Sequence, residues 1–348
     1  MGYAKGRFVV ETHVHAQRHA FKFKEKGIKP DYAKLAQGMP DSVIYDNSPR
    51  LLFDMDLYGV DMCVLMCGFG MTDELNEEIV KNHPDKFVAV CSATSYMHKV
   101  RKGEVEWSIK DACKELDRQL STGMFRGIGE FMPRNPKPSK PYSWEERFEE
   151  ICQIMEVARK HKVTVGFHTG TLSGYAGAPR SPGGAFTELQ YPLLAHDVAG
   201  SYPDVTIIME HGGHSGGWSE WGFEPTCQVA GSHPNVYLET GLWWAELYER
   251  VLRDPNIGAE KLIWGCDWGA SIPQQWTPGL HPSSYADQSK KDGPPAHQVD
   301  VWGWSLKQLD KLDILQDDMN LILGGNAARI FKLEDKLPHT RLFKQYLK

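Results

Sequence analysis

The sequence predicts an α/β fold of the (β/α)8, or TIM-barrel, type, and three observations predict it. Eight short, nearly continuous apolar runs are separated by helical stretches, the pattern of parallel strands covered on both faces. The Gly-rich phosphate loop that a doubly wound open sheet would carry after its first strand is missing. Most of the apolar runs also end in a histidine or an acidic residue, and in a barrel such ends gather at the face where the strands finish. A single domain over 1–348 is expected, with insertion loops at about 17–49 and 271–295.

The first strand is Phe8 to His15 (FVVETHVH). Alternation puts His13 and His15 on one face with Val14 between them, and Glu11 deeper on the same face. Two imidazoles so placed share one divalent ion without bending the backbone; the other open reading is a strand end with two solvated histidines. A Lys-rich stretch from Gln17 to Pro49 reads as a long loop of the kind that carries a lid or small elements. Ser48-Pro49 opens a helix that Gly59 stops after Tyr58.

The alternation then repeats. Strands are expected at Asp61 to Cys67, Lys86 to Ala93, Phe125 to Phe131, Lys162 to His168, Val205 to His211, Asn235 to Glu239 and Lys261 to Asp267. Between them, helices are expected at Thr72 to Asn82, Glu104 to Leu120, Trp144 to His161, Phe186 to Ser201, Cys227 to Gly231 and Trp244 to Leu252. Two helices close the chain, Val301 to Leu312 and Asn326 to Lys332, after a Pro/Gly/Ser-rich loop.

Composition excludes several partners. The formal net charge is −6 with no basic tract, which argues against nucleic acid or an anionic membrane surface. No apolar stretch reaches the length of a membrane span, and no secretory h-region opens the chain. Seven cysteines without a CxxC pair fit reduced thiols in a cytoplasmic protein better than a disulfide framework.

The strand ends supply His13, His15, Glu130, His168, His211, Glu239 and Asp267. Burying so many unpaired imidazoles and carboxylates is costly, and one divalent cation partners several at once. Imidazoles with a carboxylate suit zinc, and also manganese, iron or cobalt.

HVH on the first strand, FHTG on the fifth, EHGG on the sixth and GCDWG on the eighth resemble the amidohydrolase superfamily. The similarity is greatest to its amidohydrolase-2 branch, that of aminocarboxymuconate semialdehyde decarboxylase. RLLFDMDLYGVDMCVLM, NEEIVKNHPDKFVAV, HPNVYLETG and LGGNAARIFKL extend it from about Phe8 to Leu333. The resemblance implies a metal-dependent hydrolase type of barrel in which His13, His15, His168 and Asp267 bind one metal. It also implies that His211 stays off the metal as the acid/base, and that Asp267 relays the same proton. A homodimer or larger homo-oligomer is expected from the same source.

Other assignments keep two readings. Glu11 is read as a polar group supporting the ligands from behind. Glu130, in GIGEF, resembles strand-four ends of hydrolytic superfamily members where an acid approaches the metal; pairing with Arg134 or Arg126 is the other reading. His214 touches substrate or faces water. Arg134 and Arg180 clamp a substrate anion, or are surface residues. Trp218, Trp221, Trp243, Trp244, Trp268 and Trp276 follow late strands. Among these, Trp243 and Trp268 are taken as walls for a small planar aromatic or heteroaromatic substrate, with closure of the barrel mouth or a subunit interface as the alternative. Hydrolysis by metal-activated water is the expected reaction, non-oxidative decarboxylation of an aromatic or muconate-type acid the alternative, and a non-catalytic metal-stabilised barrel the third.

Overall fold

Side chains alternate along β4 (Met62–Leu65), with Met62 and Val64 in one apolar cluster and Cys63 and Leu65 in another. The same division runs through β5 (Phe87–Cys91), where Val88 and Val90 face opposite to Phe87, Ala89 and Cys91. It continues in β8 (Ile207–Glu210), with Ile208 opposed to Ile207 and Met209, and in β9 (Val236–Glu239), with Tyr237 opposed to Val236 and Leu238. The first cluster fills a lumen; the second lies beneath the helices. A computed structural model describes residues 7–21, 42–68, 71–136, 143–169, 192–214, 222–269, 301–334 and 336.

These strands belong to one parallel sheet. With β1 (Val10–Val14), β6 (Phe125–Ile128), β7 (Thr164–His168) and β10 (Leu262–Ile263), the order is β1-β4-β5-β6-β7-β8-β9-β10. The edges meet. Thr12 N–H donates to Trp264 O at 3.0 Å, Trp268 N–H to His13 O at 3.1 Å and His15 N–H to Trp268 O at 2.7 Å. The result is the expected eight-stranded barrel.

The helices between the strands are α1 (Ser48–Tyr58), α2 (Asp73–Asn82), α3 (Thr94–Lys102), α4 (Ile109–Leu120), α5 (Trp144–His161), α6 (Leu194–Ser201), α7 (Phe223–Ser232) and α8 (Ala245–Leu252). Local sequence explains their ends. Ser143 and Glu146 form a reciprocal capping box at the start of α5, whose first turn is acidic and whose last turn is basic. Pro49 sits in the first turn of α1, and Gly59 ends it in the left-handed region at φ 71°. The chain closes with α9 (Val301–Asp310), α10 (Gln316–Asn320), a π-helical turn at Leu321–Gly325 and α11 (Asn326–Ile330). Ala327, Ala328, Phe331 and Leu333 pack with Phe8 and Val10 and seal the lumen at the starts of the strands.

The first strand is irregular. Val9 and Val14 both lie in the outer cluster, although five residues of strict alternation would put them on opposite faces. The pairing of β1 with β4 shifts between Glu11 and Val14, so an extra residue is accommodated there. Glu11 Oε1 accepts from the main chains of His13 at 3.0 Å and Cys266 at 2.7 Å. It therefore does not simply share the face of His13. It braces the irregular stretch and ties the first strand to the segment after the last.

Other departures are local. The expected loop from Gln17 contains an antiparallel pair, β2 (Gln17–Phe21) with β3 (Ser42–Asp46). The long helix expected from Glu104 begins only at Ile109, because Ser108 accepts from Asp111 N–H and caps it; α3 is a separate helix before it. The expected loop at 271–295 lies outside the described residues. All seven cysteines are unpaired. Among the described residues no helix is long and apolar enough to cross a membrane.

Candidate metal centre

Strand parity carries His168 of β7, Glu210 of β8 and Glu239 of β9 into the lumen at its strand-end mouth, where they are buried. His211 follows Glu210 directly and reaches the same space because its backbone is left-handed, with φ at 61°. Asp267 is left-handed as well, at φ 56°. In a non-glycine residue that conformation costs about 1–2 kcal/mol, and surrounding contacts must hold it.

The imidazoles at the end of β1 are oriented from behind. His13 Nδ1 lies 2.8 Å from Glu239 Oε2, which leaves His13 Nε2 facing the lumen without a hydrogen-bond partner among the described residues. His15 Nδ1 lies 3.3 Å from Met66 O, and its Nε2 is 3.0 Å from Asp267 Oδ1. His13 Nε2 lies 3.6 Å from the same oxygen. One donor atom from each of His13, His15 and Asp267 falls within a 4.8 Å spread, and so does a second set, His13, Glu130 and His211.

Glu130 stands between the histidines. Its Oε2 is 3.5 Å from His15 Nε2 and 3.9 Å from His13 Nε2; its Oε1 is 3.2 Å from His168 Nε2 and 3.8 Å from His211 Nε2. Of the two readings open for this residue, the structure turns its carboxylate to the imidazoles. His168 meets the group through Glu130 and belongs to neither compact donor set, while Phe131 stacks on its ring at 5.3 Å. His211 is in one of the two sets, with its ring centroid 4.8 Å from that of His13 and 4.6 Å from that of His168.

The electrostatics follow from burial. Desolvation pushes Glu130 and Glu210 well above the usual carboxylate range, and raises Glu11 to about 8. Burial alone would depress His13, but Glu239 and the other carboxylates hold it well above the usual imidazole value. His211 is driven well below that value by burial and by its imidazole neighbours. Burial opposes ionisation of Asp267, yet the His15 hydrogen bond and the surrounding imidazoles keep it far below the usual range. Buried carboxyl groups beside imidazoles, with His13 Nε2, both oxygens of Glu210 and both nitrogens of His211 lacking hydrogen-bond partners among the described residues, fit a divalent cation.

The remaining expected contacts divide. His214 is fully buried, edge-on to Trp244 at 4.6 Å, so it does not face water. Trp243 and Trp268 are buried at 0% and 4% exposure in the layer between barrel and helices, not on a solvent-facing rim. Trp243 packs on Phe223 and Tyr248, and Trp268 on Trp302, because large flat side chains fill that layer. Arg134 is half-buried just beyond Met132 and Pro133, whose carbonyls accept from the Arg147 guanidinium. Arg180, Trp218, Trp221 and Trp276 lie outside the described residues. Two residues were left out of the expected ligand and substrate sets: Glu239, although a strand-end glutamate was its signal, and Glu210, hidden by its place beside His211.

No curated protein sequence matches the chain at a significant level. Solved structures do. A 2,6-dihydroxybenzoate decarboxylase from Rhizobium aligns with a TM-score of 0.54 at 16% identity, over 94% of this chain and 99% of its own. A dihydroxybenzoic acid decarboxylase from Polaromonas sp. JS666, with bound manganese and 2-nitroresorcinol, aligns with a TM-score of 0.56 at 14% identity, over 95% and 99%. A 5-carboxyvanillate decarboxylase from Novosphingobium aromaticivorans, complexed with manganese and a nitrobenzoic acid, gives 0.55 at 13% identity, over 96% and 98%. These similarities establish the barrel. The sequence profile described as amidohydrolase matches residues 64–333, most of the chain. The protein is therefore a member of the amidohydrolase family, in its amidohydrolase-2 branch.

Proposed function

We propose that the protein is a divalent-metal-dependent, non-oxidative decarboxylase of a small aromatic carboxylic acid. The observation that carries this reading is that decarboxylases of hydroxylated benzoic acids share its barrel from end to end, two of them holding manganese. His13, His15, His168 and Asp267 would hold the cation, with Glu130 as a further oxygen donor. When bound, the cation supplies a Lewis acid that polarises oxygens of the substrate. Zinc, expected from the donor set, and manganese, held by two structural neighbours, are the candidate ions.

The chain supplies the rest. Glu239 fixes His13 through Nδ1, and Met66 O fixes His15. His211, with neither ring nitrogen hydrogen-bonded among the described residues, holds or moves a proton beside the substrate. In the reaction the ring carbon bearing the carboxylate gains a proton, the bond to the carboxylate carbon breaks, and its electron pair returns to the ring. Carbon dioxide leaves. Burial of the site excludes water that would compete for the proton.

Hydrolysis is the second reading, favoured by Glu130 lying among four imidazoles. The test is incubation of Mn2+- and Zn2+-loaded protein with ortho-hydroxybenzoic acids and with aromatic lactones and amides. Carbon dioxide release supports the proposal; oxygen-18 from labelled water in the product, without carbon dioxide, replaces it with hydrolysis. Self-association belongs to the same reading, and Phe53 and Leu57 on the outer face of α1 are exposed apolar candidates for a contact. Sedimentation showing only monomer would remove it.

A further inference from the structure

We infer that Asp54, on α1, is a positioning residue for the cation site and acts through Trp268 on Asp267; this rests on the proposed cation site. Asp54 is buried under the barrel mouth at 5% exposure. Its Oδ2 accepts the Trp268 indole N–H at 3.1 Å, and its Oδ1 lies 2.9 Å from Nη2 of Arg50, whose guanidinium covers the Phe53 ring at 5.3 Å. The Trp268 ring is backed by Trp302 at 6.1 Å, and Trp302 in turn by Tyr58 of the same helix.

What Asp54 holds is the residue that sets Asp267. The Trp268 main-chain N–H donates to His13 O and its carbonyl accepts from His15 N–H, so one residue is bonded to both imidazole-bearing residues at the end of β1. Asp267 directly precedes it, left-handed, with Oδ1 3.0 Å from His15 Nε2. A non-glycine residue keeps that conformation only where its flanks are fixed. On one flank, Cys266 N–H is held by Glu11. On the other are the two main-chain bonds of Trp268 and the bond of its indole N–H to Asp54. Without that bond the hold on Trp268 slackens and the Asp267 carboxylate loses its set distance from His15. A carboxylate two residues removed from the metal, on a different element, thus sets the spacing of two ligands.

The experiment measures Mn2+ affinity of metal-free protein from the electron paramagnetic resonance signal of the free ion. The variants are Asp54→Leu, Trp268→Phe and Asp54→Asn, the last keeping an oxygen for the indole N–H. Asp54→Leu and Trp268→Phe should weaken Mn2+ binding by about 10-fold or more, and Asp54→Asn by less than about 3-fold. The visible spectrum of the Co2+-loaded protein should change in Asp54→Leu and return in Asp54→Asn. Asn235→Ala, which destabilises the protein away from the site, controls for general loosening. If it weakens Mn2+ binding as much as Asp54→Leu at a matched melting temperature, the inference is overturned. Wild-type affinity in both Asp54→Leu and Trp268→Phe overturns it too, leaving the cation site standing. A wild-type protein that binds neither Mn2+ nor Zn2+ overturns the site and the inference together.

Discussion

Gly269 is the sharpest place to test the geometry of the barrel mouth. It follows Trp268 with φ at 82°, and a Cβ there would fall on the His15 carbonyl oxygen, well inside the 3.0 Å that real Cβ atoms keep. Gly103, the residue that ends α3, has nearly the same backbone at φ 77° and nothing among the described residues within 4 Å of the added carbon. Alanine at Gly103 therefore meets only the left-handed penalty, about 1–2 kcal/mol. Partial recovery from a less flexible unfolded chain returns about 0.4–1 kcal/mol. The net cost is about 1 kcal/mol. Alanine at Gly269 carries that cost and also forces the His15 main chain aside, an overpacking worth about 1–3 kcal/mol. Urea unfolding of both variants, at equal m-values, should show Gly269→Ala less stable than Gly103→Ala by about 1–3 kcal/mol. Because His15 must move, Mn2+ binding should weaken in Gly269→Ala alone. Equal losses in the two variants would show that the segment after Asp267 is not seated against His15 as described.

Further outcomes are expected. His13→Ala and His168→Ala should lose bound metal by elemental analysis, and a full equivalent retained in either would remove that residue from the ligand set. His211→Ala should keep metal and lose turnover by about 100-fold or more, the usual worth of a placed acid/base; near-wild-type turnover would remove it from the chemistry. Asn235, buried, donates to the carbonyls of Ala199, Tyr202 and Val205. Asn235→Ala should therefore cost about 1–3 kcal/mol in thermal or urea unfolding while metal content stays unchanged.

The strands were legible because each is a short apolar run and most are closed by a histidine or an acidic residue, as in VTIIMEH and KVTVGFH. The hairpin of β2 and β3 was not, since QRHAF and SVIYD lie some twenty residues apart with no turn dipeptide to announce their pairing. The irregularity in β1 was hidden for another reason. An added residue in a ladder changes which face a side chain takes without changing the residue pattern, so alternation placed Glu11 beside His13 when it braces the backbone instead. Adjacent Glu210 and His211 both enter the lumen through a left-handed turn that alternation does not describe. Trp243 and Trp268 show the limit of position along the chain as a guide. Both follow late strands and were taken as walls for a planar substrate, and both are buried with Trp264 and Trp302 in the layer behind the strands.

The sealing of the barrel by its two extremities also sets a timetable. Thr12 meets Trp264 across about 250 residues of chain, and Phe8 is buried against Phe331 and Leu333. At roughly 5–20 residues per second, a ribosome needs on the order of 10–50 seconds to synthesise the stretch between them. Throughout that interval His13 and His15 have no Asp267 to face and no floor beneath them. Capture of the ion thus belongs to the finished polypeptide and not to the growing one, and supplying metal during synthesis should gain nothing over supplying it afterwards.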